Sequence, residues 1–231
     1  MLLGGLQKLS LIDYPGRVAA TVFTVGCNFS CPFCHNPELV KVGSDRLQMY
    51  LPEEDFFEFL EQRQGLIEGI CISGGEPTIH QDLPAFLEKI KSAGFLVKLD
   101  TNGTWPSVLK DLVSKKLVDY VAMDIKAPLE RYHEIINAEV DLEKIHESVQ
   151  LVRALPDYEF RTTVIPDFHK KEDFLSIARW LDGAKRYYIQ QFKPENALDP
   201  AFAKMRPYED QILAEFCQVI KPYFEICEVR V

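Results

Sequence analysis

Three thiols sit close enough in this chain to share one metal centre. Cys27, Cys31 and Cys34 fall within eight residues, in the spacing C-x3-C-x2-C, just after an apolar run. Thiolates hold iron–sulfur clusters, and a 4Fe-4S cluster ordinarily takes four of them. Three clustered thiolates with no fourth cysteine nearby leave one iron open to a small molecule. Rival chemistries explain less. Cys31-Pro32-Phe33-Cys34-His35 matches the C-x-x-C-H form of haem attachment, a modification of exported proteins, and the apolar run Met1 to Leu6 is shorter than is expected of an export signal. A Cys31–Cys34 redox pair leaves Cys27 without a role. Structural zinc needs a fourth ligand, and His35, adjacent to Cys34, is awkwardly placed to share one tetrahedron. Zinc and a redox pair stay open as alternatives to iron–sulfur.

Further polar residues follow apolar runs all along the chain. Ser73-Gly74-Gly75-Glu76-Pro77 ends one such run, Asp100-Thr101-Asn102-Gly103 the next and Asp124-Ile125-Lys126 another. Arg161, Thr162 and Thr163 precede Pro166, and Gln190, Gln191 and Lys193 close a last run. Singly, each has a plain reading: a turn, a solvated carboxylate, a surface cation. In parallel α/β architectures ligands bind at the C-terminal ends of strands, so their recurrence at that one position marks a site.

The elements that must hold these groups alternate. Strands are expected at Val18–Val25, Leu66–Ser73, Phe95–Asp100, Val118–Ile125, Glu159–Val164 and Arg186–Phe192. Helices are expected at Glu53–Gln64, Asp82–Ala93, Pro106–Lys115, Asp141–Leu155, Lys171–Asp182 and about Pro207–Ile220, with a strand-like tail over Phe224–Val231. Pro52 ahead of one helix and Gly94 after another are typical boundary residues. Six strands separated by helices imply a parallel sheet of βα units. A closed eight-unit barrel takes ~250 residues, so the expected fold is α/β, an incomplete TIM-type barrel of about six units. The long stretches without periodicity, Cys27 to Pro52 and Lys193 to Arg206, are expected to be functional.

With 231 residues and 47% hydrophobic content, the chain is expected to form one domain over 1–231, its core about 18–192, followed by a C-terminal helix and short strand over 207–231. Net charge is −9 and the sequence pI about 5.1. With no block of Lys and Arg, nucleic acid is not an expected partner. No window approaches the roughly 20 apolar residues of a membrane helix, so no membrane partner is expected and the chain reads as cytoplasmic. In that reducing compartment six cysteines are expected as thiols or ligands. Cys71, Cys217 and Cys227 read as small core side chains.

The cysteine spacing with Phe33 before the last thiol resembles the signature of radical S-adenosylmethionine enzymes, and Gly74-Gly75-Glu76-Pro77 resembles that superfamily's second motif. Cys34-His35-Asn36-Pro37, Asp100 to Gly103, Asp124 to Lys126 and Arg161 to Pro166 are similar to activating enzymes of glycyl-radical proteins. The opening Gly5 to Gly16 resembles the anaerobic ribonucleoside-triphosphate reductase activating group. The resemblance implies a 4Fe-4S cluster on Cys27, Cys31 and Cys34, with S-adenosylmethionine chelating the open iron and cleaved to a 5′-deoxyadenosyl radical. That radical would take hydrogen from a glycine of a glycyl-radical enzyme. A low-potential donor such as flavodoxin or ferredoxin would supply the electron. By the same resemblance Gly74 and Gly75 let the backbone approach the methionyl amine, Glu76 and Asp100 accept from it, and Lys126 meets its carboxylate. Phe33, His35 and Asn36 would lie against adenine, and Asn102, Asp124, Thr163 and Gln191 against ribose or adenine, with Arg161 also in the cofactor-binding set. Asp100 and Thr101 are alternatively expected to hold a monovalent cation. A radical enzyme for a small molecule, like 7-carboxy-7-deazaguanine synthase, a pyruvate formate-lyase activating enzyme, and a metal or redox scaffold are the competing readings.

Overall fold

The computed structural model describes residues 1–43 and 49–231. Of the long stretch expected over 27–52, residues 44–48 lie outside the described residues. The strands are β1 (Leu3–Ser10), β2 (Ala19–Thr24), β3 (Gly69–Gly74), β4 (Leu96–Thr101), β5 (Tyr120–Asp124), β6 (Tyr158–Val164), β7 (Ala184–Gln191) and β8 (Phe224–Arg230). The helices are α1 (Glu53–Gln62), α2 (Leu83–Ser92), α3 (Pro106–Ser114), a short α4 (Tyr132–Ile136), α5 (Leu142–Arg153), α6 (Lys171–Trp180) and α7 (Asp210–Ile220).

Strand order follows chain order from β1 to β8, and those two are not neighbours. The sheet is open, and the fold belongs to the incomplete TIM-type class. The registers of β2 with β3, β3 with β4, β6 with β7 and β7 with β8 are parallel. Strand β1 is not among the expected elements. It pairs antiparallel with β2, Leu6 opposite Val22 and Gln7 opposite Thr21. Its sequence Leu-Gly-Gly-Leu-Gln-Lys-Leu-Ser carries weak strand signal because two glycines interrupt the pattern, and the partner strand supplies what propensity lacks.

Local chemistry sets the helix boundaries. Asp141 caps α5 by accepting from the Glu143 amide at 3.1 Å. Pro106 opens α3 at a position where its missing N–H costs nothing. Gly94 follows α2 at φ +87°, where a side chain would be strained.

The chain packs as two compact units, residues 1–28 with 38–121 and residues 29–37 with 122–231. In the first, Ile70 and Ile72 of β3 and Val97 and Leu99 of β4 are fully buried, and Phe56 of α1 stacks on Phe86 of α2 at 5.3 Å. In the second, Phe160 of β6 and Ile189 of β7 are buried, Tyr187 stacks on Phe224 at 4.8 Å, and Phe174 of α6 stacks on Phe216 of α7 at 5.1 Å. Among the described residues no helix is long and apolar enough to cross a membrane.

The end of β3 depends on the absence of a side chain. Gly74 sits at φ +116°, and a Cβ there would lie 2.3 Å from the Thr24 amide nitrogen. Gly74→Ala is therefore expected to destabilise the chain by about 3 kcal/mol, combining backbone strain with overpacking. Urea unfolding checks it; an unchanged midpoint would contradict this account of the β3 terminus.

Candidate cofactor site

In the first unit the exits of β2, β3 and β4 are tied to one another. The Gly75 amide donates to the Thr24 carbonyl at 2.9 Å and the Glu76 amide to the Gly26 carbonyl at 2.8 Å. A Cβ on Gly75 would lie 2.0 Å from that Gly26 oxygen. The close approach that requires both glycines is thus made by the chain's own backbone, the segment leading into Cys27. Cys27 itself is half-buried, and its amide donates to the Val40 carbonyl at 3.0 Å.

Glu76 is the hub of this unit. Its side chain is 1% exposed. One carboxylate oxygen accepts from the Thr78 amide at 3.1 Å, from the Thr78 hydroxyl and from the Thr101 hydroxyl at 2.7 Å. The other accepts from the Asn102 amide at 2.6 Å. Burial pushes the Glu76 carboxyl above its ordinary range, and these donors pull it back. Asn102 then reaches out: its side-chain amide donates to Asn28 Oδ1 at 2.9 Å, and Asn28 Nδ2 donates to the Thr104 hydroxyl at 2.9 Å. The residue after Cys27 is thereby fixed through Asn102 to a buried carboxylate. Asp100 is committed as well, accepting from the almost fully buried Lys98 ammonium and from the Ser73 hydroxyl at 3.1 Å.

The second unit carries the other two thiols. The Cys34 amide donates to the Cys31 carbonyl at 3.0 Å, closing a tight turn whose second residue is Pro32. Burial pushes the Cys31 thiol up to about 11, and the Lys126 ammonium works against that rise. Lys126 Nζ also stands 6.0 Å from the Phe33 ring centroid. Burial, together with Lys126 and Lys193, lowers His35, which therefore stays neutral near pH 7; its ring lies 5.9 Å from that of Phe192. Asn36 is half-buried.

Asp124 and Lys126 lie two apart at the end of β5 and pair at 2.8 Å. Arg161 Nε of β6 donates to the other Asp124 oxygen. Burial opposes charge at Asp124, yet Arg161 and Lys126 hold its carboxyl well below the usual range; Asp124 likewise holds Lys126 above its ordinary value against burial. Thr163 faces Gln190 in the β6–β7 register. Gln191 is bound within its own unit, donating to the Tyr208 carbonyl at 2.7 Å and accepting from the Phe192 amide.

Each unit therefore gathers its own share of the expected residues. Cys27, Gly74, Gly75, Glu76, Asp100, Thr101 and Asn102 belong to the first, and Cys31, Phe33, Cys34, His35, Asn36, Asp124, Lys126, Arg161, Thr163 and Gln191 to the second. Three supporting groups escape the sequence reading. Glu159 is fully buried and takes both Arg230 nitrogens at 2.7 and 2.8 Å, with Arg161 Nη1 4.0 Å away. The polar period Glu159, Arg161, Thr163 along β6 was the available signal. His169, left without a role on sequence, is fully buried, accepts the Ile165 amide on Nδ1 at 2.9 Å and has Nε2 2.9 Å from the Lys126 carbonyl. That pattern fixes a neutral ring with its proton on Nε2, and nothing local in the sequence announces it. Lys98 is likewise readable only from its buried partners.

Among the described residues no three His, Cys, Asp or Glu side chains are gathered in metal-ligating geometry. By donor chemistry the loop nonetheless suits an iron–sulfur cluster. It offers three thiols, one of them beside a lysine ammonium that eases its ionisation. The remaining cysteines are engaged elsewhere, Cys71 3.7 Å from Lys98 Nζ and Cys217 3.0 Å from Cys227.

Burial lowers His169 from 6.5 to about 4, so the unfolded chain binds a proton in this interval that the folded chain does not. The stability due to the neutral ring is complete above about 6.5 and is lost as pH falls through about 4. Unfolding free energy is expected to fall by up to roughly 1.4 kcal/mol per pH unit across that window. His169→Gln is expected to remove this contribution; an identical pH profile in the variant would contradict the assignment.

Residues 21–181 match the radical SAM superfamily. The chain is 35% identical over 99% of its length, and 95% of the relative's, to a Methanocaldococcus jannaschii protein bearing the name "Putative glycyl-radical enzyme activating enzyme". A 7-carboxy-7-deazaguanine synthase of Aquifex aeolicus is 33% identical over only 34% of this chain and 33% of its own. Among solved structures, a radical SAM methyltransferase from Sphaerobacter thermophilus superposes with TM-score 0.71 at 16% identity, over 96% of this chain and 68% of its own, a likeness of fold. With the family match over most of the chain and the relative aligned along nearly all of it, this protein is an enzyme of the radical S-adenosylmethionine superfamily.

Proposed function

We propose that this enzyme installs a glycyl radical on a partner protein, with anaerobic ribonucleoside-triphosphate reductase as the partner. The carrying observation is the likeness along 99% of the chain to a relative named as a glycyl-radical enzyme activating enzyme, together with the C-x3-C-x2-C spacing of Cys27, Cys31 and Cys34 as the ligand set. A 4Fe-4S cluster held by these thiols would, with S-adenosylmethionine, supply the reductive cleavage that makes a radical able to take hydrogen from the partner's glycine.

The chain's own residues bind and orient. Lys126 has three donors, one of them on Asp124. Two cations, Lys126 and Arg161, flank one carboxylate, Asp124, and the surplus positive charge suits the methionyl carboxylate. Phe33 and the neutral His35 offer faces for adenine, with Asn36, Thr163 and Gln191 of the same unit as polar partners. Gly74, Gly75 and Glu76 shape the backbone that meets the methionyl amine, and Asn102 adds a ribose contact. At Asp100 and Thr101, where a monovalent cation is the further component, the Lys98 ammonium already supplies positive charge. A flavodoxin- or ferredoxin-type donor in the cytoplasm completes the reading.

Coverage favours an activating enzyme over a small-molecule enzyme of the deazaguanine type, since the first relative aligns over 99% of the chain and the second over 34%. The opening Gly5 to Gly16 supports the reductase as partner in preference to pyruvate formate-lyase.

The test is anaerobic reconstitution with iron and sulfide, reduction, and addition of S-adenosylmethionine with a candidate partner. A glycyl doublet in electron paramagnetic resonance together with 5′-deoxyadenosine is the expected result. Turnover of a small molecule without a doublet would favour the synthase-type reading, and absence of any 5′-deoxyadenosine would overturn both. Cys31→Ala is expected to lose cluster iron and turnover. Lys126→Ala is expected to keep the iron while S-adenosylmethionine binds about 10- to 100-fold more weakly, as for one lost charge-assisted bond; an unchanged dissociation constant removes Lys126 from the site.

A further inference from the structure

Two thiols far along the chain stand in contact with each other. Cys217 occupies the last turn of α7 and Cys227 the middle of β8, and their Sγ atoms are 3.0 Å apart. They are 8% and 6% exposed. Only the short turn Lys221–Tyr223 separates the two elements, so a hairpin-like connection presents one thiol to the other. Cys227 lies opposite Tyr187 in the β7–β8 register, and Tyr187 is locked by a 2.6 Å hydrogen bond to the Thr162 hydroxyl and by stacking on Phe224 at 4.8 Å. The residue beside Cys227 across the sheet is thus held in place.

We propose that Cys217 and Cys227 are a redox-modification site, forming an intramolecular disulfide when the chain meets a low-molecular-weight disulfide. A disulfide bond spans about 2.05 Å between sulfurs, so the contact has to close by roughly 1 Å, a movement available to side-chain rotation. In the first step one thiolate attacks a sulfur of the reagent, forming a mixed disulfide and expelling one reagent thiolate. In the second, the neighbouring thiolate attacks the protein sulfur of that mixed disulfide and expels the other. The protein loses two electrons to the reagent sulfurs, and the two thiol protons pass to the released thiolates. The bond would clamp α7 to β8, the strand whose Arg230 holds Glu159. It uses no thiol of the 27–34 loop, so it stands whether or not that loop carries a cluster.

The experiment exposes the anaerobically reconstituted holoenzyme to oxidised glutathione, alkylates it in denaturant and cleaves after glutamate. Residues 216–225 and 226–228 are then separate peptides. The expected product is these two joined, two hydrogens lighter than their sum and released by dithiothreitol. Cys217→Ser is expected to give no joined product and to trap glutathione on Cys227. The oxidised chain is expected to melt about 5–10 °C higher than the reduced one, a shift absent from Cys217→Ser. Recovery of both cysteines as alkylated thiols, or of two separate glutathione adducts, would overturn the proposal.

Discussion

A carboxylate buried to 1% exposure has to be satisfied from within the protein, and Glu76 sets the terms for everything around it. Its desolvation is offset only if donors arrive from several directions at once. They come from the turn that follows it, through both Thr78 groups, and from the end of β4, through Thr101 and Asn102. Hydrogen bonds to a charged group are worth about 1.5–3 kcal/mol each, enough to fix loops that solvent would otherwise leave free. Once Asn102 is held by its amide, its side chain is free to hold Asn28, and the exit of β2 is positioned beside Cys27. The glycines before Glu76 serve the same end, because only a backbone without side chains lets the Gly75 and Glu76 amides reach Thr24 and Gly26.

The second unit meets the same problem with charge alternation. Lys126, Asp124, Arg161, Glu159 and Arg230 run as cation, anion, cation, anion, cation across β5, β6 and β8. Each anion is compensated from two sides, and one positive charge is left over. His169 steadies the start of this row through the Lys126 carbonyl while staying neutral itself, so it adds no charge to the balance. Paired in this way, the cations of the row are held more rigidly than a solvated lysine would be.

Cysteine use divides along similar lines. Cys71, Cys217 and Cys227 are buried among packed elements, Cys217 and Cys227 in contact with each other. Cys27 and Cys34 are half-buried on a loop, and Cys31, though buried, has a lysine beside it.

The sequence alone carried the α/β class, the six strands β2 to β7 and the superfamily, because alternating apolar periods and clustered C-x3-C-x2-C and Gly-Gly-Glu-Pro residues are local patterns. The Gly94 terminus was legible for the same reason. Tertiary structure decided what has no local signature. Strand β1 exists because β2 offers it a partner, despite its glycines. Glu76 is a buried hub whose two oxygens both accept from its own chain, and that depends on residues 25 and 26 positions away. His169, Glu159 and Lys98 looked like ordinary polar residues until burial and distant partners gave them roles. Periodicity and spacing report on neighbours in sequence; desolvation and long-range hydrogen bonding depend on which groups the folded chain places around an atom.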